Sequence, residues 1–351
     1  MGVLDELTDF RQLVREWYER EWRTHDLEIS FKRHHDRFFS WAYEDHPVFT
    51  VTARDQNSGI ESRAILKMYG TQELALEEWK TLSRLSSGFG DPSGFGAPLP
   101  LAMFLDSPAL LMTKVSGKRL SHLIWPTIFS SRPVQPSVVL AGIRSAGAWL
   151  AEYQNMAPDP ERHELDGSEA YAGVSTLLEG HLKSSRQYCL SEHVTTAIKS
   201  WFSSIEDSVS KLTCMSVPTC DFQPTHIFVS DTKTSVIDFE WEGCGWPGEN
   251  LASFLVYCEV YRSALSIPAI SIEEVREVFL ESYSASAHFG PAHRISLEVA
   301  YLVELLDTLL RPWLDHGQRS TKKASSLWRS WLARREIVRR TQTGSWRTLL
   351  E

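Results

Sequence analysis

Thr219-Cys220-Asp221-Phe222-Gln223-Pro224-Thr225-His226-Ile227-Phe228-Val229, closed by Val236-Ile237-Asp238-Phe239-Glu240, is the stretch that decides the fold. Residues 227–229 and 235–237 are β-prone, and Asp231-Thr232-Lys233-Thr234 between them reads as the turn of a short hairpin. Asp221 precedes the first strand and Asp238 ends the second. A hairpin brings its two ends together, so both carboxylates are expected to face one place. Two acids held close repel, and they call for a divalent cation or a proton between them.

Upstream, residues 38–43, 48–53 and 62–68 are β-rich, and Asp55-Gln56-Asn57-Ser58-Gly59 is a turn between the last two. They predict an antiparallel meander. A helix follows, with Thr71 as its cap and Glu73 in its first turn. Leu74, Leu82 and Leu85 share one face of it, and Glu78 projects from the middle of that face. A carboxylate there is costly unless it meets a cation. Its neighbour Glu77 lies about 100° away, off the centre of the stripe. Residues 86–100 read as a Gly/Ser/Pro loop without the G-x-G-x-x-G order of a phosphate cradle. Two more strands are expected at 99–105 and 109–115. Residues 1–30, 120–211 and the chain beyond Pro247 read as mostly helical.

The decisive stretch resembles the catalytic loop and metal-binding aspartate of aminoglycoside phosphotransferases and of choline kinase-like relatives. Their pattern is roughly H-G-D-x-x-P-x-N, a strand, a turn, then I-D-F/W-E. Asp221, Pro224, Ile237, Asp238, Phe239 and Glu240 match it in order, and Gly245, Pro247, Leu251 and Ala252 resemble the run that follows. Ala64-Ile65-Leu66-Lys67 is similar to the strand that supplies a nucleotide-binding lysine.

The resemblance implies an α+β, bilobal protein-kinase-like fold. A small antiparallel-sheet N-lobe with one helix would precede a large, mostly helical C-lobe. The parts would be a helical segment at 1–30, a nucleotide-binding lobe at 31–115, a C-lobe with the catalytic hairpin at 116–318, and a C-terminal helix at 319–351. The implied activity is transfer of the γ-phosphate of ATP to a hydroxyl of a small molecule. Asp221 would be the catalytic base and Asp238 the main Mg2+ ligand. Lys67 would contact the ATP phosphates with Glu78 as its ion-pair partner. The backbone around Met112, Thr113, Lys114 and Val115 would meet the adenine ring.

The sequence departs from that pattern at the loop. His226 stands where an asparagine would hold a second magnesium, and Thr219, Cys220 and Asn250 replace the family's histidine, glycine and aspartate. Imidazole offers nitrogen, which suits Mn2+ better than Mg2+. The alternative expectation is therefore a catalytically impaired relative that binds nucleotide or a partner protein.

The net charge of −9 argues against a nucleic-acid partner and is compatible with a cationic acceptor. No run of 18 apolar residues predicts a membrane span. Residues 1–15 lack the basic start and apolar run of a secretory signal. Five cysteines without framework spacing point to free thiols, read as small buried hydrophobes, in the cytoplasm. Residues 322–340 form a basic amphipathic helix whose apolar stripe, with Trp328, Trp331 and Leu332, is expected to pack on its own domain. Glu240 and Glu242 flank the site. Glu259, Glu304 and Asp307 lie in the helices expected to hold the acceptor, as amine ligands or as ordinary surface. His34-His35-Asp36 reads as a solvated loop.

Overall fold

The computed structural model describes residues 3–33, 47–89, 94–124, 134–156, 164–188, 190–239, 242–262, 270–314 and 320–343. The run at 38–43, His34-His35-Asp36, Cys189 and Glu240 lie outside them. The chain divides into two compact units. One is Met1–Ser116 with Ile237–Trp241, and the other is Gly117–Val236 with Glu242–Glu351. Asp238, expected in the C-lobe, therefore belongs to the first unit.

The first unit holds α1 (Val3–Trp22), β1 (Leu27–Arg33), β2 (Val48–Asp55), β3 (Glu61–Met68), α2 (Gln72–Gly88), β4 (Phe95–Gly96), β5 (Pro100–Phe104) and β6 (Ala109–Thr113). α2 is the one helix expected within 31–115, and α1 falls in the helical segment expected at 1–30. α1 ends at Trp22, and Leu27–Arg33 is a strand rather than the end of a helical segment. Antiparallel pairing gives a sheet of order β1-β2-β3-β6-β5. Alternation along β3 sorts its side chains between two faces. Ala64 and Leu66 join Phe10, Val14 and Tyr18 of α1 in the core. Ile65 and Lys67 take the other face. On α2 the Thr71 hydroxyl accepts the Leu74 N–H, and the helix buries Glu78, Leu82 and Leu85. It runs on through Ser86-Ser87-Gly88, which had read as loop.

The second unit begins with β7 (Lys118–Arg119), α3 (Leu120–Ile124), α4 (Pro136–Asn155), β8 (Glu164–Asp166), α5 (Gly167–Tyr188), α6 (Glu192–Ser204) and α7 (Glu206–Val209). It continues with β9 (Thr213–Met215), β10 (Val217–Thr219), β11 (Ile227–Val229), β12 (Thr234–Val236) and β13 (Gly243–Gly245). It closes with α8 (Gly248–Arg262), α9 (Ile272–Ser286), α10 (Pro291–Leu314) and α11 (Ser320–Thr343). The expected hairpin is β11–β12, and β7 pairs on its β11 edge. Gly117 has φ +103, and a Cβ there would lie 2.5 Å from the Val229 oxygen, so this approach needs glycine. Gly147 likewise lets α4 lie against the Phe279 main chain of α9.

α11 packs Leu332, Ala333 and Ile337 inward, while Trp331 stays 53% exposed. Arg340, expected on the basic face, is instead buried and donates to Glu259 at 2.8 Å. Arg276 and the Tyr301 hydroxyl also bond Glu259. Burial pushes the Glu259 carboxyl up, but Arg340 and Arg276 outweigh it and hold it below its ordinary value. Glu259 is therefore an internal ion-pair centre, neither surface nor amine ligand.

Candidate active site

In the first unit Lys67 is buried beside α2. Its Nζ donates to Glu78 Oε2 at 2.8 Å and to Asp238 Oδ1 at 2.5 Å. Glu78 is 1% exposed, whereas Glu77 is exposed and outside the cluster. The remaining demand of the Glu78 carboxylate is met by the Tyr69 hydroxyl at 2.7 Å and the Phe239 N–H at 3.3 Å. Three further groups, Asp238, Tyr69 and the Phe239 N–H, thus converge on one buried pair, the condition for holding charge away from water. Burial, then the Glu78 charge, pushes the Tyr69 phenol well above its ordinary range, so it stays a donor. The sequence reading missed Tyr69, because a tyrosine at a strand end reads as core.

Asp238 has φ +74, in the left-handed region. Aspartate tolerates that conformation better than a branched residue would. Its side chain is 33% exposed. A partly exposed carboxylate is a hard oxygen donor, so Asp238 fits Mg2+.

The positions expected to meet adenine differ among themselves. Met112 lies within the β6 ladder, opposite Ile65 and Pro100. The Thr113 N–H donates to the Leu99 oxygen at 2.9 Å, and its hydroxyl accepts the Leu99 N–H at 2.8 Å. Thr113 is thereby engaged in joining strands. Lys114 and Val115 lie past the end of β6.

In the second unit the loop 220–226 is fixed from several sides. Phe222 is buried in a ring stack with Trp149 at 5.7 Å, Phe254 at 5.9 Å and Phe279 at 6.4 Å between centroids. The Pro224 oxygen accepts the Ser121 N–H at 2.9 Å. Asn250 is buried, its Oδ1 accepts the Cys220 N–H at 3.3 Å, and its Nδ2 approaches Cys220 Sγ at 3.9 Å. The two departures Cys220 and Asn250 are thus partners that hold the loop. Thr219 pairs with Gly243 across the two-stranded β10–β13 sheet.

This leaves Asp221 with its side chain 40% exposed. His226 Nδ1 lies 2.9 Å from the Asp221 main-chain oxygen. A carbonyl only accepts, so Nδ1 carries a proton, and it also lies 3.6 Å from Asp221 Oδ2. A metal-binding histidine commonly has this arrangement, and it suits Mn2+ better than Mg2+. Glu242 accepts the Tyr153 hydroxyl at 2.7 Å. Cys214 and Cys220 are half-buried, and Cys244 is exposed rather than a core hydrophobe. Burial pushes the Cys214 thiol up to about 11. Among the described residues no group of three or more His, Cys, Asp or Glu side chains forms a metal cluster.

No protein-family model matches the chain, and no curated protein matches it. Solved structures do. A choline kinase from Cryptosporidium parvum Iowa II is 12% identical, with a TM-score of 0.57, covering 97% of this chain and 98% of that one. An aminoglycoside phosphotransferase from Alicyclobacillus acidocaldarius is 10% identical, with a TM-score of 0.53 and coverage of 92% and 93%. An amicoumacin kinase, solved with AMP-PNP, Ca2+ and Ami, is 16% identical, with a TM-score of 0.52 and coverage of 88% and 87%. The chain therefore has the kinase-like fold of choline kinases and aminoglycoside phosphotransferases, the fold its sequence resembles. Among the described residues no helix is long and apolar enough to cross a membrane.

Proposed function

We propose that the chain is an ATP-dependent phosphotransferase acting on a hydroxyl of a small molecule. The observation that carries this reading is Lys67, buried and bonded to both Glu78 and Asp238. A buried lysine held by two acids, one of them partly exposed, is a built site for an anion with its counter-cation. Lys67 binds the ATP phosphates, Glu78 and Tyr69 fix its position, and Lys114 and Val115 offer main-chain groups to adenine. Asp238 would hold Mg2+, and His226 would be a metal donor that favours Mn2+. When bound, the divalent cation neutralises charge on the β- and γ-phosphate oxygens. Asp221 orients the acceptor and takes its hydroxyl proton. The acceptor oxygen bonds the γ-phosphorus as the bond to the ADP oxygen breaks, leaving ADP and the phosphorylated acceptor.

The test is a thermal-shift panel with ATP, GTP, Mg2+ and Mn2+, followed by phosphate transfer from labelled ATP. The expected result is stabilisation by ATP with metal, lost on Lys67→Ala, and transfer lost on Asp221→Ala. A chain that neither binds ATP nor changes on Asp221→Ala overturns the reading. One observation favours a second reading, a catalytically silent nucleotide-binding relative. His226 is bonded to Asp221 itself, where the family places an asparagine. That reading predicts nucleotide binding without transfer to any acceptor.

A further inference from the structure

α11 carries seven basic residues and one acid, in a chain whose net charge is −9. The acid, Glu336, is engaged within the helix, where its carboxylate accepts from Arg339 at 2.6 Å and from Arg340 at 2.8 Å. Cations are thus gathered on one element of an otherwise acidic chain.

The inner face of α11 is fixed. Leu332, Ala333 and Ile337 are buried, the Ser330 hydroxyl donates to the Leu309 oxygen at 2.6 Å, and Arg340 reaches Glu259. Turning the helix to bury Trp331 would break these contacts and leave Glu259 short of a cation. The exposure of Trp331 is therefore built into the fold.

The outer face combines apolar and cationic groups. From Trp331 on, the exposed side chains of α11 are Arg334, Arg335, Arg339, Gln342 and Thr343, and none is acidic. Leu327, one turn before Trp331, is exposed as well. Leu327, Trp331 and Arg334 share one stripe at helical spacing. The Arg335 guanidinium lies over the Trp331 ring at 5.9 Å. Among the described residues no carboxylate meets Arg334 or Arg335.

An indole beside guanidinium groups suits a bilayer interface, where acyl carbon and charged headgroups lie at adjoining depths. A protein partner would need a concavity shaped to one convex helix, whereas a fluid bilayer conforms to it. The unpaired arginines select anionic over zwitterionic headgroups.

We propose that the outer face of α11 docks on an anionic bilayer surface, with Trp331 and Leu327 entering the interface and Arg334 and Arg335 meeting the headgroup phosphates. The contact is peripheral and reversible, and it does not depend on the phosphotransferase reading.

The test is co-sedimentation of the whole chain with phosphatidylcholine vesicles, with and without about 30% phosphatidylglycerol, at about 0.1 M salt. Binding is expected to be about tenfold or more tighter on the anionic vesicles, and to be released at about 1 M salt, where charges are screened beyond about 3 Å. Each arginine near such a surface contributes about fivefold, so neutralising the pair by Arg334→Gln with Arg335→Gln is expected to lower binding about 25-fold. Trp331→Ala is expected to lower it about tenfold. All three side chains are exposed, so the circular dichroism spectrum should be retained. Arg20→Gln with Lys233→Gln, the same change of charge at exposed positions elsewhere, is expected to leave binding within about twofold. Failure to bind anionic vesicles, equal binding to neutral ones, or binding that survives Trp331→Ala or the arginine pair overturns the proposal. So does an equal loss in the control variant. Binding to soluble polyglutamate without binding to anionic vesicles overturns it in favour of an acidic protein partner.

Discussion

The Phe239 main-chain N–H donates to Glu78 Oε1 at 3.3 Å across 161 positions of sequence. Lys67 and Tyr69 hold the other oxygen of the same carboxylate. Glu78 is therefore both the partner of Lys67 and the point at which the segment carrying Asp238 is fastened.

Removing Glu78 should cost more than a lost ion pair. Breaking a buried pair from one side costs about 3–5 kcal/mol. Lys67 keeps Asp238, so Glu78→Ala is expected near about 3 kcal/mol in urea unfolding, together with loss of the ATP thermal shift. The exposed Glu77→Ala should stay within about 0.5 kcal/mol. Equal effects at the two positions would contradict the assigned pairing.

The left-handed backbone of Asp238 separates fold from function. Asp238→Asn keeps an oxygen acceptor for Lys67 and should fold nearly as well as the parent, whereas Asp238→Gly removes that bond and should cost about 1–3 kcal/mol. Asp238→Ala adds about 1–2 kcal/mol of left-handed strain. All three are expected to lose the stabilisation that ATP gives with Mg2+. Circular dichroism melts with and without Mg·ATP read the two effects separately.

His226→Asn should change metal preference. An amide oxygen replaces the imidazole nitrogen, so the ratio of Mn2+- to Mg2+-supported nucleotide affinity is expected to fall by about tenfold. An unchanged ratio would remove His226 from the metal site. Circular dichroism of the variant tests whether the Asp221 loop tolerates the loss of the Nδ1 bond.

Stability should fall with rising pH because of Glu304. Burial comes first, then Asp307 and Asp221, and against Arg311 they push its carboxyl from 4.5 up to about 7. The folded value lies above the unfolded one. The stability tied to the protonated form is therefore fully present below 4.5 and lost as pH rises through about 7. The loss is on the order of 3 kcal/mol. Glu304→Gln should match the parent at about pH 5 and exceed it at about pH 8, by denaturant unfolding.

The C-terminal helix should depend on Arg340. Arg340→Ala leaves Glu259 buried with Arg276 and Tyr301, and a cost of about 3–5 kcal/mol is expected. The exposed Arg335→Ala, whose guanidinium lies over Trp331, should cost no more than about 1 kcal/mol.

The sequence made β2, β3, β5, β6 and the hairpin legible because alternation and turn residues were strong, whereas β1 read as helix and β4 as loop. Glu78 was legible because a carboxylate cannot sit on an apolar stripe without a reason. The first-unit membership of Asp238 and its left-handed φ were not, since aspartate tolerates either conformation. β10 and β13 were too short, and too rich in Pro and Gly, to read as strands. Arg340 read as surface because its partner Glu259 lies 81 positions away on another helix. A cavity lined by Glu304 was invisible because its walls come from segments scattered between Tyr171 and Glu304.

Ile237–Trp241 completes a unit whose other residues end at Ser116. On the ribosome, about 120 residues separate the two parts. At about 5–20 residues per second that interval is roughly 6–24 s. Throughout it the nascent Lys67–Glu78 pair has neither Asp238 nor the Phe239 N–H. The buried cluster around Lys67 is thus finished late in translation, after about half of the second unit has been made.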